Sequence, residues 1–157
     1  MKTISEIMTT DVYRAQADWS LDTLSQFFFD KQVSGAPVVD NGDQLVGVVS
    51  LTDMARNTTV PVIGSSDTER HNYYHDMKFA GISREDMELL KAESESITVV
   101  KDIMTPLVYD VPRDATIMDT AQLMLKGHIH RVLVTNNKKL VGIVTTMDML
   151  KVIVNNQ

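Results

Sequence analysis

The chain writes one pattern twice. Ile7 to Tyr13 reads IMTTDVY and Ile103 to Tyr109 reads IMTPLVY, an offset of 96 residues, and Asp18 meets Asp114 at the same offset. After one deletion, LVGVVSLTD (Leu45 to Asp53) aligns with LVGIVTTMD (Leu140 to Asp148) at an offset of 95. The duplication covers about residues 3–57 and 99–154, so whatever one half folds into, the other folds into as well. A unit of about 55 residues is small for a self-sufficient core, whereas two such units packed sheet to sheet bury each other's apolar faces. A pseudo-twofold pair within one compact unit is therefore expected.

Each half has the same coarse structure. A run of β-formers around Val12 to Ala15 precedes an amphipathic helix in which Leu21, Leu24 and Phe28 fall at helical spacing, and Ile117, Ala121 and Met124 repeat that spacing. Two short apolar runs follow, Ala36 to Val39 and Leu45 to Val49. Between them lies DNGD (Asp40 to Asp43), whose Asn-Gly pair predicts a tight hairpin with positive φ at both central positions; TNNKK (Thr135 to Lys139) has that role in the second half. A last helix begins near Ser50 and near Thr145. The order strand, helix, strand, strand, helix, twice over, is an α/β (α+β) fold with boundaries at 1–57 and 98–157.

Residues 58–97 have no counterpart in the duplication. SREDMELLKAESES predicts a capped helix from Ser83 with Met87 and Leu90 on one side, and TERHNYYHDMKFAG a second helix ending at Gly81. These elements would cover the sheet, a cleft or a partner. His71 and His75 lie four apart, but one histidine pair lacks the third ligand of a metal site, and surface or packing roles are expected of both. The ten methionines read as core filler rather than a cofactor box.

Composition narrows the function classes. Cysteine is absent, which removes disulfides, thiolate metal sites and cysteine nucleophiles and fits a reducing compartment. The net charge of −6 argues against nucleic-acid binding, and only residues 98–157, with 7 basic and 5 acidic residues, carry a positive excess. The opening MKTISEIMTTD is not an export signal and no apolar run approaches the length of a membrane helix, so a cytoplasmic protein without a membrane partner is expected. No Gly-rich phosphate loop, His-Glu-x-x-His or Gly-x-Ser-x-Gly is present, which favours a binding module over an enzyme.

The residues that end each repeat carry the chemistry. Ser50 with Asp53, and Thr145 with Asp148, place a hydroxyl three residues before a carboxylate at a helix start. That spacing makes a helix cap, the hydroxyl accepting an N3 backbone N–H and the carboxylate favouring the positive end of the helix dipole. The same geometry offers unpaired N–H groups to an anion and a carboxylate to two ribose hydroxyls. Capping and binding are compatible.

The order of elements, the two IMT segments, VSGAPVV (Val33 to Val39) and the paired Gly-x-x-Ser/Thr-x-x-Asp endings resemble a tandem pair of cystathionine-β-synthase (CBS) domains. The resemblance covers both repeats and leaves 58–97 outside it. It implies two β-α-β-β-α repeats packed through their sheets, a disk-like homodimer, and adenosine-containing ligands in clefts between the repeats. Carried over by that resemblance, one cleft combines Ser50 and Asp53 with Thr105, Tyr109, His130 and Arg131, and the other combines Thr145 and Asp148 with Thr9, Tyr13, Ser34 and Gly35. Main-chain groups near the tyrosines would hold the adenine edge. His130 and Arg131 offer charge-assisted hydrogen bonds to a phosphate chain, so the first cleft is expected to prefer the charged nucleotide; Lys138 and Lys139 read as solvated turn residues. The ligand class implied is AMP, ADP or ATP, with NAD or S-adenosylmethionine as alternatives, and the role a regulatory sensor acting on an unknown effector protein. A ligand-free homodimerising scaffold and, more remotely, an enzyme acting on a nucleotide phosphate are the competing classes.

Overall fold

The computed structural model describes residues 1–57, 72–75, 81–93 and 97–156. Repeat 1 opens with a 3-10 turn, Ile4–Glu6, followed by β1 (Ala15–Gln16), α1 (Leu21–Lys31), β2 (Gly35–Val39), β3 (Leu45–Ser50) and α2 (Leu51–Arg56). The insert supplies α3 (Asn72–His75) and α4 (Arg84–Glu93). Repeat 2 follows the first element for element: α5 (Val100–Ile103), β4 (Asp110–Pro112), α6 (Ile117–Gly127), β5 (Arg131–Asn136), β6 (Lys139–Thr145) and α7 (Thr146–Asn155). Each repeat builds a three-stranded sheet whose first strand is parallel and whose third is antiparallel to the middle one. Among the described residues no helix is long and apolar enough to cross a membrane.

The helical spacing seen in the sequence is the buried stripe of α1: Leu21, Leu24 and Phe28 are inaccessible to solvent. Ser20 caps this helix by accepting the Thr23 N–H, and Thr116 caps α6 by accepting that of Asp119. The expected strand at Val12 to Ala15 sits later, at Ala15–Gln16, where the backbone reaches Val38 and Val39. The first hairpin also departs from expectation. Positive φ falls on Asp43 (63°) and not on the Asn41-Gly42 pair, because the Asp40 side chain accepts the N–H groups of Gly42 and Gln44 at 2.9 Å and winds the turn around itself. In the second hairpin Asn137 and Lys138 both take positive φ, the demand of a two-residue turn that matches strand twist.

The repeats are tied together by exchanged segments. Ile4 N–H donates to Ala115 O at 2.9 Å, placing the first turn of repeat 1 on repeat 2, and Val100 N–H donates to Trp19 O at 2.9 Å, placing α5 on repeat 1. Further along, Thr9 pairs with Ile143 on the free edge of β6, and Thr105 pairs with Val48 on the free edge of β3. The glycines of the repeated motif admit these crossings: a Cβ on Gly47 would lie 2.7 Å from Thr105 O, and one on Gly142 would lie 2.6 Å from Met8 Sδ.

The insert is part of the fold. From α4, Met87 and Leu90 bury themselves with Ile82 in the core that contains α1, as the expected apolar side requires, and Ser83 caps the helix through the Asp86 N–H. Lys91 Nζ donates to Gln26 Oε1 of α1 at 2.7 Å. Of the second expected helix, Asn72–His75 is formed, whereas His71 and most of the remainder lie outside the described residues. Its Tyr73 and Tyr74 join the core between the sheets.

Candidate functional site

Both repeats end in a reciprocal cap. Ser50 N–H donates to Asp53 Oδ2 at 2.9 Å while Asp53 N–H donates to Ser50 Oγ at 3.2 Å. Thr145 N–H donates to Asp148 Oδ2 at 2.9 Å, with the return bond from Asp148 N–H at 3.4 Å. The structural role of these pairs is thus real, and one carboxylate oxygen of each is committed to it. The pairs differ in access. Asp53 is buried, whereas Asp148 retains 13% of its side-chain surface and its Oδ1 faces Lys151 Nζ at 3.3 Å, an exposed contact that a ligand hydroxyl can replace.

The exchanged segments bring residues of one repeat to the cap of the other. Thr105 lies against Val48, two residues before Ser50, and Thr9 against Ile143, two residues before Thr145. The strand-start dipeptides behave differently. The ladders set Gly35 opposite Ser50 and Arg131 opposite Thr145, and Ser34 O and His130 O accept the first N–H of α2 and of α7. Each dipeptide is therefore bonded to the cap of its own repeat, while the resemblance grouped it with the other cap. The physical reason is the hairpin: antiparallel pairing returns β3 and β6 to the start of β2 and β5.

Around the second cleft, Thr9 is exposed and Tyr13 is half exposed, its ring edge-on to Phe27 with centroids 6.5 Å apart and Lys31 Nζ 5.2 Å from its centre. Thr145 and Asp148 keep partial access to solvent, whereas Ser34 and Gly35, which the resemblance grouped with them, lie at the Ser50 cap.

The first cleft is occupied by Tyr73 and Tyr74 of α3. Tyr74 lies between its halves: Tyr109 N–H donates to the Tyr74 hydroxyl at 2.9 Å and His130 N–H donates to Tyr74 O at 2.9 Å. The Tyr74 ring meets Tyr109 edge to face at 4.9 Å and Tyr73 at 5.4 Å. Tyr73 packs on Gly35, where a Cβ would come within 3.0 Å of its ring, and carries the Arg131 guanidinium 5.0 Å from its centre. Burial pushes the Tyr73 phenol up to about 12, with the charge of Arg131 opposing it; burial also raises Tyr74, and the Tyr109 N–H bond works against that. Both phenols are neutral at physiological pH. Arg131, expected to meet phosphate, is engaged by an aromatic ring of its own chain. The sequence carried one signal of this arrangement: two adjacent aromatics inside a polar insert have no reason to stay in water.

A family model described as CBS domain matches residues 4–59 and again residues 100–155. The chain belongs to the CBS domain family. Among relatives of this CBS pair, a Methanocaldococcus jannaschii protein, MJ1426, is 31% identical over 157 residues, covering 96% of this chain and 90% of its own. Another protein of that organism, MJ1232, is 30% identical across 96% of this chain, which spans 39% of the relative's length. Among solved structures, CBSX2 of Arabidopsis thaliana in complex with AMP superposes with a TM-score of 0.66 at 26% identity, covering 99% of this chain and 98% of CBSX2. The two CBS repeats account for the observed order of elements and the paired three-stranded sheets.

Proposed function

We propose that this CBS pair is a regulatory module that binds an adenosine-containing nucleotide between its repeats and has no catalytic step of its own. The observation that carries the reading is the exchange that lays Thr9 beside β6, two residues from the Thr145–Asp148 cap, and leaves Thr9, Tyr13 and the Asp148 carboxylate accessible. In this reading Asp148 Oδ1 accepts the ribose hydroxyls in place of Lys151, and backbone groups near Tyr13 hold the base edge. The positive end of the ten-residue α7 dipole favours the phosphate. The AMP held by CBSX2 supports the ligand class. AMP, ADP and ATP are the proposed set, with NAD and S-adenosylmethionine as the alternatives, and the effector is a protein that reads the relation of the repeats.

The chain is also proposed to pair with a second copy. In repeat 1, α4 covers α1, whereas in repeat 2 Leu125 of α6 and Met147, Leu150, Ile153 and Val154 of α7 are each more than half exposed. These flank an apolar groove of about 500 Å³ lined by Met124, Ile129 and Met149. Self-association through α6 and α7 removes this surface from water.

Calorimetric titration with the five ligands tests the binding reading. Asp148→Ala should weaken the preferred ligand by about 1.5–3 kcal/mol, the range for a hydrogen bond to a charged group, while the protein stays folded. Equal binding by the parent and the variant would show that Asp148 serves the cap alone.

A further inference from the structure

The reading above leaves the insert without a role, yet α3 makes the most specific contacts in the first cleft. One residue, Tyr74, takes two main-chain N–H groups at once, Tyr109's through its hydroxyl and His130's through its carbonyl. Its ring is inaccessible to solvent and bears a single acceptor at its edge, with aromatic neighbours at 4.9 and 5.4 Å. A flat heteroaromatic base held in this cleft would need the same things: an edge acceptor for the Tyr109 N–H and packed rings or apolar groups beside its faces. Tyr73 completes the occupation, because it rests on Gly35, the residue opposite Ser50, and holds the Arg131 guanidinium over its ring. A base and the Tyr74 ring cannot share this volume.

We propose that α3 is an internal competitor for the first cleft: the Tyr73–Tyr74 pair stands in for the purine base of a nucleotide, so that ligand fills the second cleft first and enters the first only when α3 withdraws. This inference rests on the nucleotide reading of the preceding subsection and adds its regulation. Withdrawal frees Arg131 for phosphate at the moment the base site opens, so occupancy of the first cleft and displacement of the insert are one event. A closed fraction that dominates lowers the apparent affinity of the first cleft in proportion to the open fraction. The duplicated residues already set the clefts apart at Ser34-Gly35 and His130-Arg131, and the Tyr73–Tyr74 pair, which has no counterpart in the duplication, adds a second difference.

The test uses the full chain and AMP as the probe. In an Asp148→Ala background, which weakens the second cleft by roughly 10- to 150-fold, the chain with both tyrosines should bind AMP correspondingly more weakly than the parent by calorimetry. Adding Tyr73→Ala and Tyr74→Ala should restore a site with at least tenfold tighter binding, and the chain retaining Asp148 with both tyrosines replaced should bind two AMP where the parent binds one. Equal AMP binding with and without the tyrosines overturns the proposal. So does a folded, tyrosine-free Asp148→Ala chain that takes up no AMP while the parent binds it, since the first cleft would then hold no base site. If the parent itself takes up none of the five ligands, the nucleotide reading fails together with the proposal, an outcome distinct from failure of the competitor alone. Tyr74→Phe guards against misfolding: it keeps the ring and loses the hydroxyl that meets the Tyr109 N–H. In the Asp148→Ala background it should raise AMP affinity severalfold, and an unchanged affinity counts against the proposal.

Discussion

Gly47 and Gly142 occupy equivalent places in the two repeats, yet the structure predicts unequal costs for replacing them with alanine. A Cβ on Gly47 would meet Thr105 O at 2.7 Å and Met104 Sδ at 2.8 Å. The first contact is backbone, and that carbonyl also accepts the Val48 N–H at 2.9 Å, so it cannot move without opening the pairing that holds the crossing segment to β3. On Gly142 the nearest atom is Met8 Sδ at 2.6 Å, the mobile end of a side chain, while the Thr9 carbonyl lies at 3.1 Å and need give only a little. Overpacking costs about 1–3 kcal/mol. The two Val48–Thr105 backbone bonds add about 0.5–1.5 kcal/mol each if they part, and the rigidity gained on replacing a strand glycine returns about 0.5–1 kcal/mol. Gly47→Ala should therefore destabilise by roughly 3 kcal/mol and lower the melting temperature by about 6–12 °C for a chain of this size. Gly142→Ala, after a methionine rotation, should stay within about 1 kcal/mol of the parent. Urea and thermal unfolding of the two variants measure this directly. Equal stability of the two variants, or a larger loss at Gly142, would refute the claim that the obstructing atom's freedom to move decides the cost.

Alkaline titration reports on α3. Tyr73 ionises near 10.0 when unfolded and near 12 when docked, so below pH 10 its contribution is complete; between these values the unfolded state binds fewer protons and stability falls as pH rises. Two pH units correspond to about 3 kcal/mol, and phenolate absorbance should develop together with loss of near-ultraviolet circular dichroism; a complete phenolate signal at pH about 11 with native dichroism would count against burial of the pair. Leu150→Glu, on the exposed face of α7, should convert a dimer to a monomer in sedimentation while leaving AMP affinity within twofold. A parent chain that sediments as a monomer at micromolar concentration would dispose of the proposed pairing.

The duplication made the fold legible, because hydrophobic period, cap chemistry and strand glycines are short-range properties repeated in two places. Ser50–Asp53 and Thr145–Asp148 could be read as caps from spacing alone, since a cap is closed within one helical turn. Leu21, Leu24 and Phe28 declared a buried face for a similar reason: period 3.6 places them on one side whatever covers it. The turn at Asp40 was not legible in this way, because an Asn-Gly signal competed with a side chain that bonds its own backbone.

What only the tertiary structure decided is the content of the clefts. Strand register bonded Ser34–Gly35 and His130–Arg131 to the caps of their own repeats, and register depends on the return of a partner strand. The insert brought Tyr73 and Tyr74 against Tyr109, His130 and Arg131. That packing joins a segment without a repeat counterpart to residues more than thirty positions away, so neither periodicity nor internal symmetry could announce it. The sequence determined two like repeats that differ at Ser34-Gly35 and His130-Arg131; tertiary packing alone decided that Tyr73 and Tyr74 are buried beside Tyr109, His130 and Arg131.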